Sequence, residues 1–168
     1  NTICSNIFYK LKEKYKDMIL IGVIDSTIDL FIKTNKKNVL IIGTENTIKS
    51  GIYENRIKDI CNNVYSIPTK ELVPRIEKDL DCKDIIDDLL KKYKNIDSII
   101  LACTHYKLIE HLIPKNIACI DSSTGIINTI KPYINDSISS IKIYTTGNIN
   151  EFNKLCKKII NKTGEYID

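Results

Sequence analysis

Short apolar runs alternate along this sequence with stretches of helical periodicity, and this alternation constrains the fold more than any other feature. The runs predict six strands, at Met18–Ile24, Asn38–Gly43, Val64–Ile67, Ile99–Ala102, Ile117–Asp121 and Ile141–Thr145. Strands that alternate with helices build a mainly parallel sheet with helices on both faces. The sequence therefore predicts an α/β fold.

The helical stretches are predicted from their apolar spacing and their caps. The first stretch places four residues on one side of a helix, namely Ile7, Phe8, Leu11 and Tyr15. Asp25 and Ser26 are expected to cap a helix that ends near Ile32. A last helix, 150–161, is expected to turn Phe152, Leu155, Ile159 and Ile160 inward. The tail after Gly164 is expected to fray.

Composition excludes several classes of protein. The 168 residues are 43% hydrophobic and 27% charged, which is typical of a globular chain. The net charge of +4 is spread through interleaved Lys, Asp and Glu, so nucleic-acid binding is not favoured. No apolar run is long enough to span a bilayer, and no signal-peptide core is present. We therefore expect no membrane partner.

The six cysteines are scattered, and none forms a CxxC pair. This spacing does not favour a zinc site, so no metal is expected. Without a secretion signal, the cysteines are expected to be reduced thiols in a cytoplasmic protein.

Small polar residues follow several of the predicted strands. The pairs are Asp25-Ser26, Gly43-Thr44, Cys103-Thr104 and Asp121-Ser122. In a parallel sheet the carboxyl ends of the strands lie at one edge and face a common crevice. We expect the chemistry of this protein to lie there.

The richest of these strand ends is Cys103-Thr104-His105. A thiol, a hydroxyl and an imidazole between a buried strand and a helix form a candidate active site. The alternative is a structural cysteine, because free cysteine is among the most buried residue types.

A second strand end suggests an anion site. Gly43 permits a tight turn, and the first N–H groups of the following helix are free to bind a carboxylate or phosphate. Thr44 and Thr47 could add hydroxyl donors. The alternative is that one threonine is simply a helix cap. No Gly-Lys-Ser/Thr ending follows, so the segment is not a Walker A loop.

Taken together, these motifs resemble the glutamate racemases of the aspartate/glutamate racemase family. The segment 101–106, Leu-Ala-Cys-Thr-His-Tyr, resembles their Gly-Cys-Thr-His-Tyr/Phe-Pro motif. The segment 43–53 resembles their Gly-Thr-x-x-Thr-x-x-Ser-x-x-Tyr. Segments 22–24, 71–77, 120–122 and 146–148 also match in order and spacing. The resemblance runs over nearly the whole chain.

The resemblance implies a cofactor-independent racemase that acts at the α-carbon of glutamate with two cysteines. Cys103 takes the position of the thiolate that removes the α-proton of the L-enantiomer, and His105 could tune it or relay a proton. Residues at substrate-binding positions of the family are Asn1, Thr2, Thr44, Thr47, Thr104 and Glu77. From the sequence alone, Glu77 could equally be a solvated helix residue.

The family's other catalytic cysteine matches a position just before Asn1, and Cys4 falls on a serine position after it. We do not expect Cys4 to replace that cysteine. These 168 residues are therefore expected not to racemise glutamate, but at most to exchange its α-proton through Cys103. Lys107 stands where the family has proline, at a helix start, and little harm is expected.

The resemblance also implies two α/β lobes. Residues 22–122 correspond to one complete lobe, and residues 1–21 and 123–168 to a remnant of the other. A small-molecule substrate, a homodimer and a role in supplying D-glutamate for peptidoglycan and cell shape are implied in the same way. Two alternatives stay open: a non-catalytic module that binds an amino acid or carboxylate, and a racemase for aspartate.

Overall fold

A computed structural model describes residues 1–134 and 140–168. The chain divides into two compact units, Asn1–Tyr133 and Ile134–Asp168. The sequence-based assignment of residues 22–122 to one lobe, with 1–21 and 123–168 as a remnant, stays a prediction; residues 135–139 of that remnant lie outside the described part.

The first unit is built on a four-stranded parallel sheet. Its strands are β1 (Asn38–Gly43), β2 (Asn63–Pro68), β3 (Ser98–Ala102) and β4 (Ala118–Asp121), in the order β2-β1-β3-β4. The central strands β1 and β3 are apolar and almost wholly buried, as expected for strands covered on both faces. The α/β fold class predicted from the sequence is confirmed.

Helices cover both faces of this sheet. The α-helices are α1 (Thr2–Lys14), α2 (Val23–Ile32), α3 (Glu45–Lys49), α4 (Ile52–Ile57), α5 (Leu72–Glu77), α6 (Lys83–Lys92) and α7 (Ser122–Ile130). Three segments form 3-10 helices, namely Lys58–Ile60, Thr104–Leu112 and Lys131–Tyr133.

Successive strand residues point to opposite faces and so feed two separate cores. Leu40, Ile42, Ile99 and Leu101 pack with α5, α6 and the 3-10 helix Thr104–Leu112. Val39, Ile41, Ile100 and Ile120 pack with α2 and α4. Both cores therefore brace the strands whose ends carry the candidate site.

The predicted strand Met18–Ile24 is wrong. Met18 and Ile19 are exposed, and Val23 and Ile24 begin α2 instead. The apolar residues Ile24, Ile28 and Phe31 recur at helical spacing and are buried against the sheet. Burial of that helical stripe overrides the short apolar run. Asp25 and Ser26 lie inside α2 rather than at its cap, which is Gly22.

The other predicted elements of this unit are confirmed with small differences. The helix expected after Gly43 is divided, because Gly51 adopts a left-handed conformation with φ 63° between α3 and α4. The helix after Cys103 is a 3-10 helix and not an α-helix. Phe8 is buried on α1, whereas Ile7 is 44% exposed.

The second unit is a small β-α-β arrangement. It contains β5 (Tyr144–Thr145), α8 (Ile149–Ile160) and β6 (Glu165–Tyr166), with the two strands parallel. The tail after Gly164, expected to fray, pairs with β5. Phe152 and Leu155 are half-buried, but Ile159 and Ile160 are exposed, because strands of two residues offer α8 little surface. The inward placement predicted for Ile159 and Ile160 is wrong.

Two findings concern the chain as a whole. All six cysteines lie in the described residues and are free thiols. Within residues 1–134 and 140–168, no helix has both the length and the apolar character that crossing a membrane requires.

We expect Gly125→Ala to destabilise the protein. A Cβ at Gly125 would lie 2.7 Å from the carbonyl oxygen of Ser26, because α2 and α7 touch there. Alanine is normally more favourable than glycine inside a helix. Here the clash of the new Cβ with the backbone of α2 should outweigh that gain and lower the free energy of unfolding by about 1–3 kcal/mol. Urea denaturation followed by circular dichroism measures the change.

Asn128→Ala on the exposed side of α7 is the matched control and should shift the free energy of unfolding by less than about 0.5 kcal/mol. An unchanged or raised stability of Gly125→Ala would contradict the close contact between the two helices.

Candidate active site

The carboxyl ends of β1 and β3 bring the two main sequence motifs together. Gly43 and Ala102 are paired in the parallel register. Thr44 and Cys103 are the next residues of their strands, so they leave the sheet side by side. The common crevice predicted at this edge therefore has a threonine motif beside a cysteine motif.

Three hydroxyl groups form a cluster at this edge. The Oγ1 atoms of Thr44 and Thr47 are 2.9 Å apart, and Thr2 Oγ1 lies 3.0 Å from that of Thr44 and 3.4 Å from that of Thr47. Thr44 also accepts a hydrogen bond from the Thr47 N–H and so caps α3. The cap expected for one threonine is present, and the predicted anion site stays a prediction.

Asn1 adds an amide to the hydroxyl cluster. Its Oδ1 accepts a hydrogen bond from the hydroxyl of Tyr53, which is buried. Burial raises the pKa of Tyr53, so the hydroxyl stays protonated and can donate. The Asn1 Nδ2 is buried and finds no acceptor in the described part of the chain. A buried unpaired donor is costly, so this amide is available to a ligand oxygen.

Cys103 lies at the start of a short relay of polar groups. Its Sγ is 3.8 Å from Nδ1 of His105, and Nε2 of His105 is 3.1 Å from a carboxylate oxygen of Glu77. A carboxylate only accepts, so Nε2 carries a proton toward Glu77, and Nδ1 accepts from the thiol when it carries no proton of its own. The arrangement resembles a nucleophile, its base and an orienting acid.

Burial raises the pKa of the Cys103 thiol, and the backbone N–H groups of His105 and Tyr106 act against this. The thiol is therefore protonated in the absence of a base, and His105 is placed to take the proton. Glu77 can then stabilise the imidazolium that results.

The predicted site residues thus fall into two groups. Asn1, Thr2, Thr44 and Thr47 lie together, and Cys103, His105 and Glu77 form the relay. Thr104 is exposed at the first position of its 3-10 helix. Glu77 contacts His105, and its predicted part in binding substrate stays a prediction, as do the roles of the other residues.

Comparison with known proteins finds glutamate racemases among the relatives and structural neighbours of this chain. A glutamate racemase from Fusobacterium nucleatum is 31% identical over 180 residues, covering 96% of this chain and 68% of that protein. One from Persephonella marina is 34% identical over 170 residues, covering 92% of this chain and 64% of that protein. The structure of a Francisella tularensis glutamate racemase in complex with D-glutamate matches with a TM-score of 0.78 at 25% identity, covering 99% and 70% of the two chains.

The chain belongs to the glutamate racemase family. The resemblance inferred from the motifs is confirmed, and with it the assignment to a family of amino-acid racemases. No family model matches the sequence. The chain spans 64–68% of the length of the two relatives described.

Sequence reasoning missed one buried residue at the edge of this racemase fold. Thr69 follows β2, and its Oγ1 lies 2.8 Å from the hydroxyl of Tyr106. Thr69 could have been found by the rule that found the others, since it is a small polar residue directly after a strand. Thr69 is missed because the predicted strand stops at Ile67, and Pro68 separates it from Thr69.

The strand end at Asp121 was predicted, but its partner was not. Asp121 caps α7 by accepting from the N–H and the hydroxyl of Thr124, and Lys107 Nζ lies 3.0 Å from its carboxylate. Burial acts to raise the pKa of Asp121, but these hydrogen bonds prevail and hold it at about 2. Lys107, at the family's proline position, is therefore part of the edge.

Among residues 1–134 and 140–168, no three His, Cys, Asp or Glu side chains lie close enough together to hold a metal ion.

Asp121 should make stability depend on acid pH. Its folded-state pKa of about 2 lies below the ordinary 3.8, so its contribution is complete above about pH 4 and is lost as the pH falls toward 2. Asp121→Asn keeps a cap oxygen but no charge. We expect it to be less stable than wild type by about 2 kcal/mol at pH 7.

Urea denaturation of both proteins between pH 7 and pH 2.5 measures this difference, which should shrink below pH 4. Lys107→Met should lose part of the same contribution to the free energy of unfolding. Lys115→Met is the control for an exposed lysine. A difference that stays constant across the pH range would contradict the assignment to Asp121.

Proposed function

We propose that this protein is a glutamate racemase in which Cys103 is one of the two acid/base groups. The observation that carries the proposal is the position of the Cys103 thiol, which has the His105–Glu77 pair on one side and the hydroxyl cluster on the adjacent strand end. A base beside a set of hydrogen-bond donors is what removal of an α-proton requires.

In the proposed reaction His105 first accepts the thiol proton through Nδ1. The Cys103 thiolate then forms an S–H bond with the α-proton as the Cα–H bond breaks. The electron pair of that bond moves into the substrate carboxylate. No external cofactor enters this balance: the thiol proton passes to His105, and the α-proton passes to the thiolate.

The charge that develops on the carboxylate needs fixed donors. The hydroxyl groups of Thr2, Thr44 and Thr47, and the buried amide of Asn1, are suited to this because they are already held in place. Preorganised donors in a site with little water stabilise such charge far more than bulk solvent does. Thr104 and Glu77 are proposed as further substrate contacts from their family positions.

Return of a proton to the opposite face of the α-carbon requires a second acid. In the family this is another cysteine, and it matches a position before Asn1. Of residues 1–168, Cys103 is therefore the cysteine to which we assign a role. Cys4 packs beside the core under α2 and α4, in agreement with leaving it out of the chemistry.

Glutamate is the proposed substrate because the similar Francisella tularensis enzyme was solved with D-glutamate. Supply of D-glutamate for cell-wall peptidoglycan, and thereby for cell shape, is the proposed role, in the cytoplasm and with a homodimer as the assembly. Aspartate is the alternative substrate, and binding without catalysis is the alternative function.

Cys103 should exchange the α-proton of L-glutamate. In D₂O, we expect deuterium at Cα of recovered L-glutamate, measured by NMR. Cys103→Ser should slow the exchange about 100-fold or more, because a hydroxyl is a far weaker acid than a thiol.

Cys61→Ser is the matched control, since Cys61 precedes β2 at the opposite edge of the sheet, and its exchange rate should equal that of wild type. Equal deuterium-exchange rates in wild type and Cys103→Ser would contradict the proposal. Faster exchange of L-aspartate would favour the alternative substrate. Calorimetric binding of glutamate without any exchange would favour the binding module.

A further inference from the structure

The hydroxyl of Tyr106 is anchored at the end of β2. Tyr106 is fully buried, and its hydroxyl donates to the Thr69 carbonyl oxygen at 3.0 Å. The same hydroxyl lies 2.8 Å from Thr69 Oγ1. A buried tyrosine hydroxyl needs such a partner, since an unpaired one would be costly.

Thr69 is itself attached to β1. Its backbone N–H donates to the carbonyl oxygen of Gly43 at 3.0 Å, and its hydroxyl lies 3.3 Å from the same oxygen. Gly43 directly precedes Thr44 of the hydroxyl cluster. The Tyr106 side chain therefore links the turn after β3 to the strand end that carries the substrate-binding threonines.

The same turn carries the reactive thiol and its base. Cys103 is extended, with φ −147° and ψ 136°, and the 3-10 helix begins directly after it. The Tyr106 N–H donates to the Cys103 carbonyl oxygen at 3.1 Å, and Nδ1 of His105 lies 3.8 Å from the Cys103 sulfur. An imidazolium held beside a thiol stabilises its thiolate.

We propose that Tyr106 is a positioning residue for Cys103: its hydroxyl, held by Thr69, fixes the 103–106 turn so that Nδ1 of His105 stays beside the sulfur. Tyr106 does not touch substrate in this account. The inference rests on the proposed function for its catalytic meaning, but the state of the thiol can be measured without glutamate.

Tyr106→Phe tests this, because it removes the anchor and keeps the ring that fills the core. We expect the pH midpoint of Cys103 alkylation by iodoacetamide, followed by peptide mass spectrometry, to rise by about half a pH unit. That rise means about threefold less thiolate at neutral pH. Deuterium exchange into L-glutamate should slow by a similar factor and recover at higher pH, with KM unchanged.

Tyr65→Phe is the matched control. Tyr65 packs against the same core and against the tilted ring of Tyr93, so the variant loses a hydroxyl from a tyrosine remote from the site. Its alkylation midpoint should equal that of wild type. The titratable groups near the thiol are the same in all these proteins, namely His105, Glu77 and Tyr53.

Thr69→Val is the second variant, because it removes the hydroxyl but leaves the carbonyl that accepts from Tyr106. A smaller rise of the midpoint is expected. Circular dichroism establishes folding. If Tyr106→Phe does not fold, Thr69→Val decides: a raised midpoint supports the proposal and an unchanged one overturns it.

A folded Tyr106→Phe with the wild-type midpoint overturns the proposal, as does an equal rise in Tyr65→Phe. Absence of deuterium exchange in wild type refutes the proposed function instead, and leaves the alkylation result to be judged by itself.

Discussion

The parallel pairing of β1 with β3 is the constraint on which the candidate site depends. It sets Gly43 beside Ala102, so the threonine motif and the cysteine motif leave the sheet as neighbours. These motifs are about sixty residues apart in sequence, and a shift of one residue in the register would turn their side chains to different faces. The register is secured by two separate cores, because the alternating residues of both strands are buried on opposite faces.

Much of this arrangement could be predicted from the sequence, because buried parallel strands are continuous apolar runs and β1 and β3 are such runs. The apolar run 18–24 predicts a strand on the same grounds, and this prediction is wrong because seven residues are too few to distinguish a strand from the start of a buried helix. Ile24 recurs at helical spacing with Ile28 and Phe31, and all three are buried, whereas Met18 and Ile19 are exposed.

The candidate site, like the fold, could be predicted only in part from the sequence. Cys103, His105 and Thr44 were found because strand ends in a parallel sheet share an edge. The contacts of Thr69 with Tyr106, and of Lys107 with Asp121, join segments that only the folded chain brings together. No local pattern encodes such pairings, since each partner is an ordinary residue in its own segment. Glu77 is intermediate: its motif located it, but its contact with His105 is a tertiary fact.

The half of the candidate site that contains Asn1 and Thr2 depends on how α1 is held, since Asn1 is the N-cap residue of this helix and Thr2 begins it. Phe8 packs so closely on Gly22 that a Cβ there would lie 2.7 Å from its ring. Arg56 donates to Asp25 at 2.7 Å and to the Tyr9 hydroxyl at 3.2 Å. This ion pair is partly exposed and contributes little alone, so apolar packing of Phe8 is the stronger attachment.

The two halves of the candidate site are therefore held in place by different amounts of packing. The relay of Cys103, His105 and Glu77 is held by a fully buried core, whereas Asn1 and Thr2 are held by one helix with a single buried side chain. Local opening free energies follow the density of buried contacts. A ligand that contacted Asn1 and Thr2 together with Thr44 would then stabilise α1 against the sheet edge by mass action.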